Sequence, residues 1–187
     1  MPGVPPAFYS LDDIIVAPAD DGPGAQRPVE TEAFLSLTRR LAKEPARTPQ
    51  RLVELAMALT GAGSAGLSVE EEDAQGKLLR WVATTGELTR YVNGTMPRDF
   101  SPCGTAMDQR RPLIMREPVR YYAYISQLHL PVSSVILVPF THRDHVVGTL
   151  WVVSHTPGHR FTSRDLRVVQ DLATFAAALI DVVAPAS

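Results

Sequence analysis

The sequence predicts an α+β domain, an antiparallel sheet with helices packed on one face and an irregular, ligand-side insertion on the other. Three observations predict it. Between Ser134 and His155, two apolar runs rich in β-branched residues, Val135–Val138 and Val146–Val153, flank the charged tetrapeptide His142-Arg143-Asp144-His145, the pattern of a buried β-hairpin. Segments with helical spacing of apolar residues stand before and after the strand-like runs. Residues 86–133 break the periodicity, and an irregular insertion of that length commonly carries function.

Residues 1–30 are rich in Pro, Gly and Asp and lack the apolar content to offset their ordering entropy, so they are expected to form a flexible extension ahead of a domain at 31–187. Within the extension, Phe8-Tyr9 and Ile14-Ile15-Val16 are apolar patches able to dock on the domain or on a partner. From Glu32 to Leu41, Ala33, Phe34, Leu37 and Leu41 recur at helical spacing, and the pattern stops before Pro45. Thr48-Pro49 has the form of an N-cap followed by proline at the first helical position, and Leu52, Leu55, Ala56 and Leu59 continue the stripe toward Gly61. Ala65–Glu71 and Leu78–Thr85 then form a first hairpin with Trp81 in its second strand. In the insertion a short helix after Ser101, a short strand at Leu113–Met115 and a short helix near Val119–Gln127 are predicted. Thr162-Ser163-Arg164-Asp165 resembles a capping box opening a helix to about Val183, lined by Leu166, Val169, Leu172, Ala173, Ala176, Leu179, Ile180 and Val183 and widened by Val168 and Phe175.

If Thr141 pairs with Val146, regular alternation places Ile136, Val138 and Phe140 with Val147, Thr149, Trp151 and Val153, and Val135, Leu137 and Pro139 with Gly148, Leu150 and Val152. Neither face is polar, so the hairpin belongs in mid-sheet with both faces covered. Pro139 lacks a donor, so a bulge or an unpaired edge is expected there.

The chain has 187 residues, 45% of them hydrophobic and 20% charged, with a net charge of -2, the composition of an ordinary soluble globular protein without a polyanionic partner. No nucleic acid and no membrane are expected as partners, since no apolar run approaches the ~20 residues of a spanning helix. Without a recognisable signal peptide the location expected is cytoplasmic. The single cysteine, Cys103, excludes an intrachain disulfide. The histidines His142, His145, His155 and His159 lack a metal-site pattern, and no metal is expected.

Ser101-Pro102-Cys103-Gly104-Thr105 is the most informative short stretch. Ser101 as N-cap and Pro102 at the first position start a helix whose free amides would be those of Cys103, Gly104 and Thr105. With Arg98 nearby this is a candidate site for a carboxylate or phosphate, and the helix end would promote thiolate character at Cys103. The alternatives are a cap that fixes the insertion with Cys103 as a small buried residue, a pocket wall, or a reactive, chromophore-linked cysteine.

Ala65-Gly66-Leu67, the run Pro97-Arg98-Asp99-Phe100-Ser101-Pro102-Cys103-Gly104-Thr105, Val138-Pro139-Phe140, Gly148–Val153 and Phe161–Asp165 resemble the GAF domain, a small-molecule sensing module, over about residues 32–183. In particular they resemble the GAF domains of bacterial sensory histidine kinases. The resemblance implies a GAF/PAS-like sheet, a second protomer against the helices and a pocket under the insertion. Several of Tyr91, Phe100, Tyr121, Tyr122, Tyr124, Trp81 and Trp151 would face that pocket, with Tyr121, Tyr124 and Trp151 foremost. The candidate ligand-binding set is therefore Trp81, Arg98, Phe100, Cys103, Gly104, Thr105, Tyr121, Tyr124 and Trp151.

The function implied is a stand-alone, non-enzymatic sensory module that binds an unidentified small molecule or a protein partner. It would act as a homodimer through its N- and C-terminal helices, with any output step in a separate protein such as a kinase. No cofactor is identified. Phytochrome-like members attach a bilin through cysteine, commonly followed by histidine; here Gly104 follows. The alternatives are a thiol-dependent enzyme similar to the methionine sulfoxide reductases, whose cycle uses more than one cysteine, and a structural member without ligand.

Overall fold

The computed structural model describes residues 10–21 and 28–180. A short helix α1 (Leu11–Ile14) precedes α2 (Pro28–Lys43) and α3 (Thr48–Thr60). The hairpin β1 (Ser64–Asp73) and β2 (Gly76–Gly86) follows, then the insertion with β3 (Thr95–Pro97), α4 (Pro102–Gln109), β4 (Leu113–Arg116) and three 3-10 segments, Thr89–Tyr91, Pro118–Arg120 and Ala123–Leu128. The second hairpin, β5 (Ser134–His142) and β6 (His145–Ser154), leads into α5 (Ser163–Ala178). The six strands form one antiparallel sheet in the order β3-β2-β1-β6-β5-β4, so the second hairpin is internal, as its two apolar faces require.

Each helix boundary has a local cause. Thr48 is the first residue of α3 rather than its cap: its hydroxyl donates to the Glu44 carbonyl, and a 3-10 turn at Pro45–Arg47 supplies the entry. Gly61 closes the helix in the left-handed region (φ 63°). At α5 the capping box is complete, with the Asp165 amide donating to Thr162 Oγ1 and the Thr162 amide to the Asp165 carboxylate.

Two cores sandwich the sheet. Leu52, Val53 and Ala56 of α3 and Val169, Leu172 and Ala176 of α5 pack on Leu67, Ile136, Leu150 and Val152. On the opposite face Cys103, Ala106 and Met107 of α4, with Tyr122 and Ile125, cover Leu79, Trp81, Leu137, Trp151 and Val153. Val168 and Leu37 are buried within this one chain, and Phe34 stacks on Phe175 at 5.7 Å, so most of the apolar surface expected to serve a dimer is spent inside the protomer. Leu35 remains exposed on α2.

The second hairpin departs from regular alternation. Arg143 and Asp144 (φ 47° and 67°) make a two-residue turn of the kind that matches strand twist, and Thr141 pairs with Val146 as expected. A bulge then leaves Val147 unmatched, because Phe140 pairs with Gly148. One extra residue exchanges the faces: Ile136, Val138 and Phe140 lie with Leu150 and Val152 toward the helices, and Val135 and Leu137 lie with Trp151 and Val153 toward the insertion. A second bulge, at Val82 in β2, likewise puts Trp81 on the insertion face and Ala83 on the helix face.

The expected flexibility of residues 1–30 does not describe Ser10–Asp21, which are packed on the domain. Ser10 caps α1, Ile14 is fully buried in the insertion-side core, and the Val16 amide donates to the Ile114 carbonyl at 2.9 Å. Ala19 exchanges backbone hydrogen bonds with Phe161 and Ser163, and Asp21 accepts from the Arg164 amide and pairs with Arg167 at 2.7 Å. Of the two apolar patches in the extension, Ile14-Ile15-Val16 docks on the domain, with Ile14 supplying the burial. Phe8, Tyr9, Val183 and the side chain of Leu41 lie outside the described residues.

Candidate functional site

Two adjoining cavities lie on the insertion side of the sheet. The outer one, about 240 Å³, is bounded by Trp81, Tyr91, Met96, Tyr124, Ile125 and Leu128. The inner one, about 50 Å³, shares Trp81, Met96 and Leu128 and is completed by Cys103, Val135, Leu137 and Trp151 among others. None of the residues lining either cavity carries a formal charge.

The sheet gives this site a rigid floor. Trp151 lies across Gly66, its partner on β1, and a Cβ at Gly66 would come within 2.1 Å of the ring, so only glycine admits the indole there. Trp151 Nε1 donates to Ser68 Oγ at 2.9 Å, and Trp81 packs against Trp151 with centroids 5.0 Å apart. Tyr91 meets Trp81 edge-on at 6.2 Å, and its hydroxyl donates to the Leu128 carbonyl at 2.8 Å. Arg90 donates to the same carbonyl at 3.2 Å, so the two groups tie the rim of the outer cavity together.

Behind the floor runs a second polar chain. The Leu88 amide donates to Ser64 Oγ at 3.1 Å, and Ser64 Oγ lies 2.8 Å from His155 Nε2. His155 Nδ1 lies 2.7 Å from the Pro131 carbonyl. A carbonyl only accepts, so Nδ1 carries the proton and Nε2 accepts from the Ser64 hydroxyl. The ring thereby joins β1, β6 and the loops around Leu88 and Pro131, and Gly63 gives it room, since a Cβ there would lie 2.6 Å from the imidazole.

Two polar atoms of the cavity-lining residues stand apart. Trp81 Nε1 and the Tyr124 hydroxyl are buried without a hydrogen-bond partner among the described residues. Burial raises the Tyr124 hydroxyl well above its ordinary value, and Tyr122, whose hydroxyl lies 2.6 Å from Thr105 Oγ1, is pushed up to about 12, so both phenols stay protonated.

The structure divides the residues expected from the sequence. Trp81, Tyr124, Cys103 and Trp151 line the cavities. Arg98 does not form an anion site: it is bound to Glu70 at 2.6 Å and Asp108 at 2.7 Å and donates to the Gly104 carbonyl, clamping the insertion to β1. Burial raises Glu70, but Lys77 and Arg98 hold its carboxylate below the usual range. The Gly104 amide goes to Ser101 Oγ at 3.0 Å and the Thr105 amide to the Ser101 carbonyl at 2.9 Å, so these are capping bonds. Gly104 is required because a Cβ would strike the Arg98 carbonyl. Cys103 is 3% exposed, and burial pushes its thiol up to about 11, opposite to the activation expected from the helix end. Phe100, 48% exposed, and Tyr121 form an aromatic patch outside the cavities with Tyr122. Met96, Leu128 and the Ser64–His155 pair were not anticipated. The spacing Tyr122, Ile125, Leu128 was the available signal, since residues three apart share a face in a 3-10 segment.

Among the described residues no group of three or more His, Cys, Asp or Glu is placed to hold a metal ion, and no helix is long and apolar enough to cross a membrane.

The family model of the GAF domain matches residues 42–181, well over half of the chain. The chain belongs to the GAF domain family. Solved structures share its fold at low identity. The GAF domain of a phosphoenolpyruvate-protein phosphotransferase from Coxiella burnetii is 16% identical, with a TM-score of 0.70 over 82% of this chain and 93% of that one. Free methionine-R-sulfoxide reductase from Neisseria meningitidis, solved with its substrate, is 16% identical, with a TM-score of 0.65 over 89% and 98%. The second GAF domain of DevS from Mycobacterium smegmatis is 20% identical, with a TM-score of 0.58 over 74% and 94%. In this GAF domain the cavities lie between the sheet and the insertion, bounded on one side by the two tryptophans.

Proposed function

We propose that this GAF domain is a cytoplasmic sensory module that takes a small molecule into the paired cavities above Trp81 and Trp151 and signals through its helical layer to a second copy or a separate output protein. One observation carries the proposal: an uncharged cavity, open on the side of Thr95 and Gln127 and walled by three aromatic rings, whose lining residues include two buried polar atoms that the fold leaves unpaired. Leaving such a group unpaired costs about 1–3 kcal/mol, which a bound ligand can offset. The exposed Leu35 supports α2 as the assembly surface. A catalytic role is less well supported, because the lone Cys103 is buried and protonated at neutral pH and has no second cysteine with which to form a disulfide.

Native mass spectrometry of the freshly purified chain, compared with its denatured mass, tests the proposal. The expected result is about twice the chain mass of 20.4 kDa plus a small component lost on denaturation. A monomer that carries nothing and binds nothing from a metabolite extract would overturn it, and an adduct surviving denaturation would reassign Cys103 as a covalent attachment point.

A further inference from the structure

We infer that the ligand of this cavity is an uncharged, compact ring compound carrying a hydrogen-bond acceptor beside a second polar group, as in a bicyclic lactam. The inference rests on the ligand-binding proposal above and adds the chemistry of what is bound.

Three features lead to it. First, the lining holds no Asp, Glu, Lys or Arg, and the neighbouring cations are engaged: Arg98 by Glu70 and Asp108, and Arg90 at the Leu128 carbonyl and over the Tyr91 ring at 5.0 Å. An ion moved into such a site loses its hydration with no counter-charge in return, so carboxylates, phosphates and zwitterionic amino acids are disfavoured. Second, the polar demand is specific. Trp81 Nε1 and the Tyr124 hydroxyl lie just beneath the cavity wall with no surface open to it, so a ligand pairs with them as those rings turn; Nε1 can only donate, so the ligand must accept, and the hydroxyl can do either, so a neighbouring N–H or a second acceptor satisfies it. The other indole, Trp151, is already committed to Ser68, which leaves Trp81 as the indole that reads the ligand. Third, the space is small. The outer cavity of about 240 Å³ falls below the ~300–1,000 Å³ of drug-sized sites, and Trp81, Tyr91 and Tyr124 give it three aromatic walls, which favours one or two fused rings.

The chain has two tryptophans, so ¹H–¹⁵N spectra contain two indole N–H signals, one bonded to Ser68 and one unpaired. Three probes of similar shape separate the terms: quinolin-2-one, naphthalene and 2-naphthoate. Quinolin-2-one is expected to bind and to move the Trp81 signal, leaving that of Trp151 in place. Naphthalene, without an acceptor, should bind about tenfold more weakly. The naphthoate anion should bind at least about a hundredfold more weakly. Trp81→Phe keeps the ring and removes the N–H, so it should reduce the tenfold preference for quinolin-2-one over naphthalene to about one.

Naphthoate binding as tightly as quinolin-2-one would overturn the ligand class while leaving the binding site standing. A preference that survives Trp81→Phe would overturn the assignment of the donor. If none of the three perturbs either indole signal up to its solubility, this inference falls, and the native mass of the purified protein decides the ligand-binding proposal separately.

Discussion

Gly66→Ala tests the floor of the site with a single methyl group. The added Cβ would lie 2.1, 2.5 and 2.6 Å from three atoms of the Trp151 ring, all well inside van der Waals contact. The fused indole cannot bend away; to reach ordinary contact it must slide by over an ångström, and Trp81 blocks part of that path at 5.0 Å. The slide breaks the 2.9 Å bond from Trp151 Nε1 to Ser68. Overpacking of a close-packed site costs about 1–3 kcal/mol, and leaving a buried donor unpaired costs about another 1–3. The gain from replacing a strand glycine is about 0.4–1. The net destabilisation is about 1–5.5 kcal/mol, centred on about 3, which at a slope of about 2–3 kcal/mol per molar urea lowers the unfolding midpoint by about 1–1.5 M at the centre of that range. Urea titration followed by circular dichroism reads this directly. A double-mutant cycle assigns the cause: on a Trp151→Leu background the penalty of Gly66→Ala should vanish. An equal penalty on both backgrounds, or a single variant within about 0.5 kcal/mol of the parent, would refute the close approach of ring and backbone.

The remaining predictions concern the supports of the same site. Ser64→Ala removes the acceptor of the Leu88 amide and the donor to His155 Nε2, two buried bonds, and should cost about 2–4 kcal/mol in denaturant unfolding, where Ser64→Thr should cost more than an exposed Ser→Thr if the pocket is as tight as its full burial implies. Cys103 has its thiol raised from 9.0 to about 11, so its contribution is fully present below pH 9 and stability should fall as pH rises from 9 to 11. Thermal melts across that window should show a smaller decline for Cys103→Ala; an identical decline would show that the thiol does not ionise on unfolding. Ile14→Ala should cost about 2–4 kcal/mol and raise amide exchange at Val16 and Ala19 in hydrogen-exchange mass spectrometry, because the buried side chain anchors the segment that runs over the domain.

The layered architecture was legible because burial leaves a periodic trace. Strand pairs with apolar residues on both faces, the Thr162–Asp165 cap and the Ser101-Pro102 helix start all follow from local chemistry, and each appears where residue order places it. Sidedness was less legible. The turn register Thr141–Val146 was correct, yet Val147 absorbs one residue, so Trp151 faces the cavity rather than the helices. Pro139 signalled irregularity nearby without showing which strand would carry the extra residue. For the site, the tryptophans and Tyr124 are large and conspicuous, whereas Arg98 was misjudged because its carboxylate partners, Glu70 and Asp108, are 28 and 10 positions away. Such pairing exists only once the chain has folded. The same holds for Ser64 and His155, separated by 91 positions. Composition also misled at Ser10–Asp21, where a few apolar side chains among Pro and Asp are enough to fasten the segment.

The fastening of that segment bears on how this domain can associate. At one margin of the sheet, Ile15 bridges Met115 and Val16 bonds to Ile114, so the outer rim of β4 already has backbone company. At the other margin β3 is three residues long and ends in Pro97, which has no amide to offer. Neither rim presents a long bare ladder on which another strand could grow, which guards against fibril-like stacking. A partner that joins this domain while the segment stays in place must therefore grip it through side chains rather than extend its sheet.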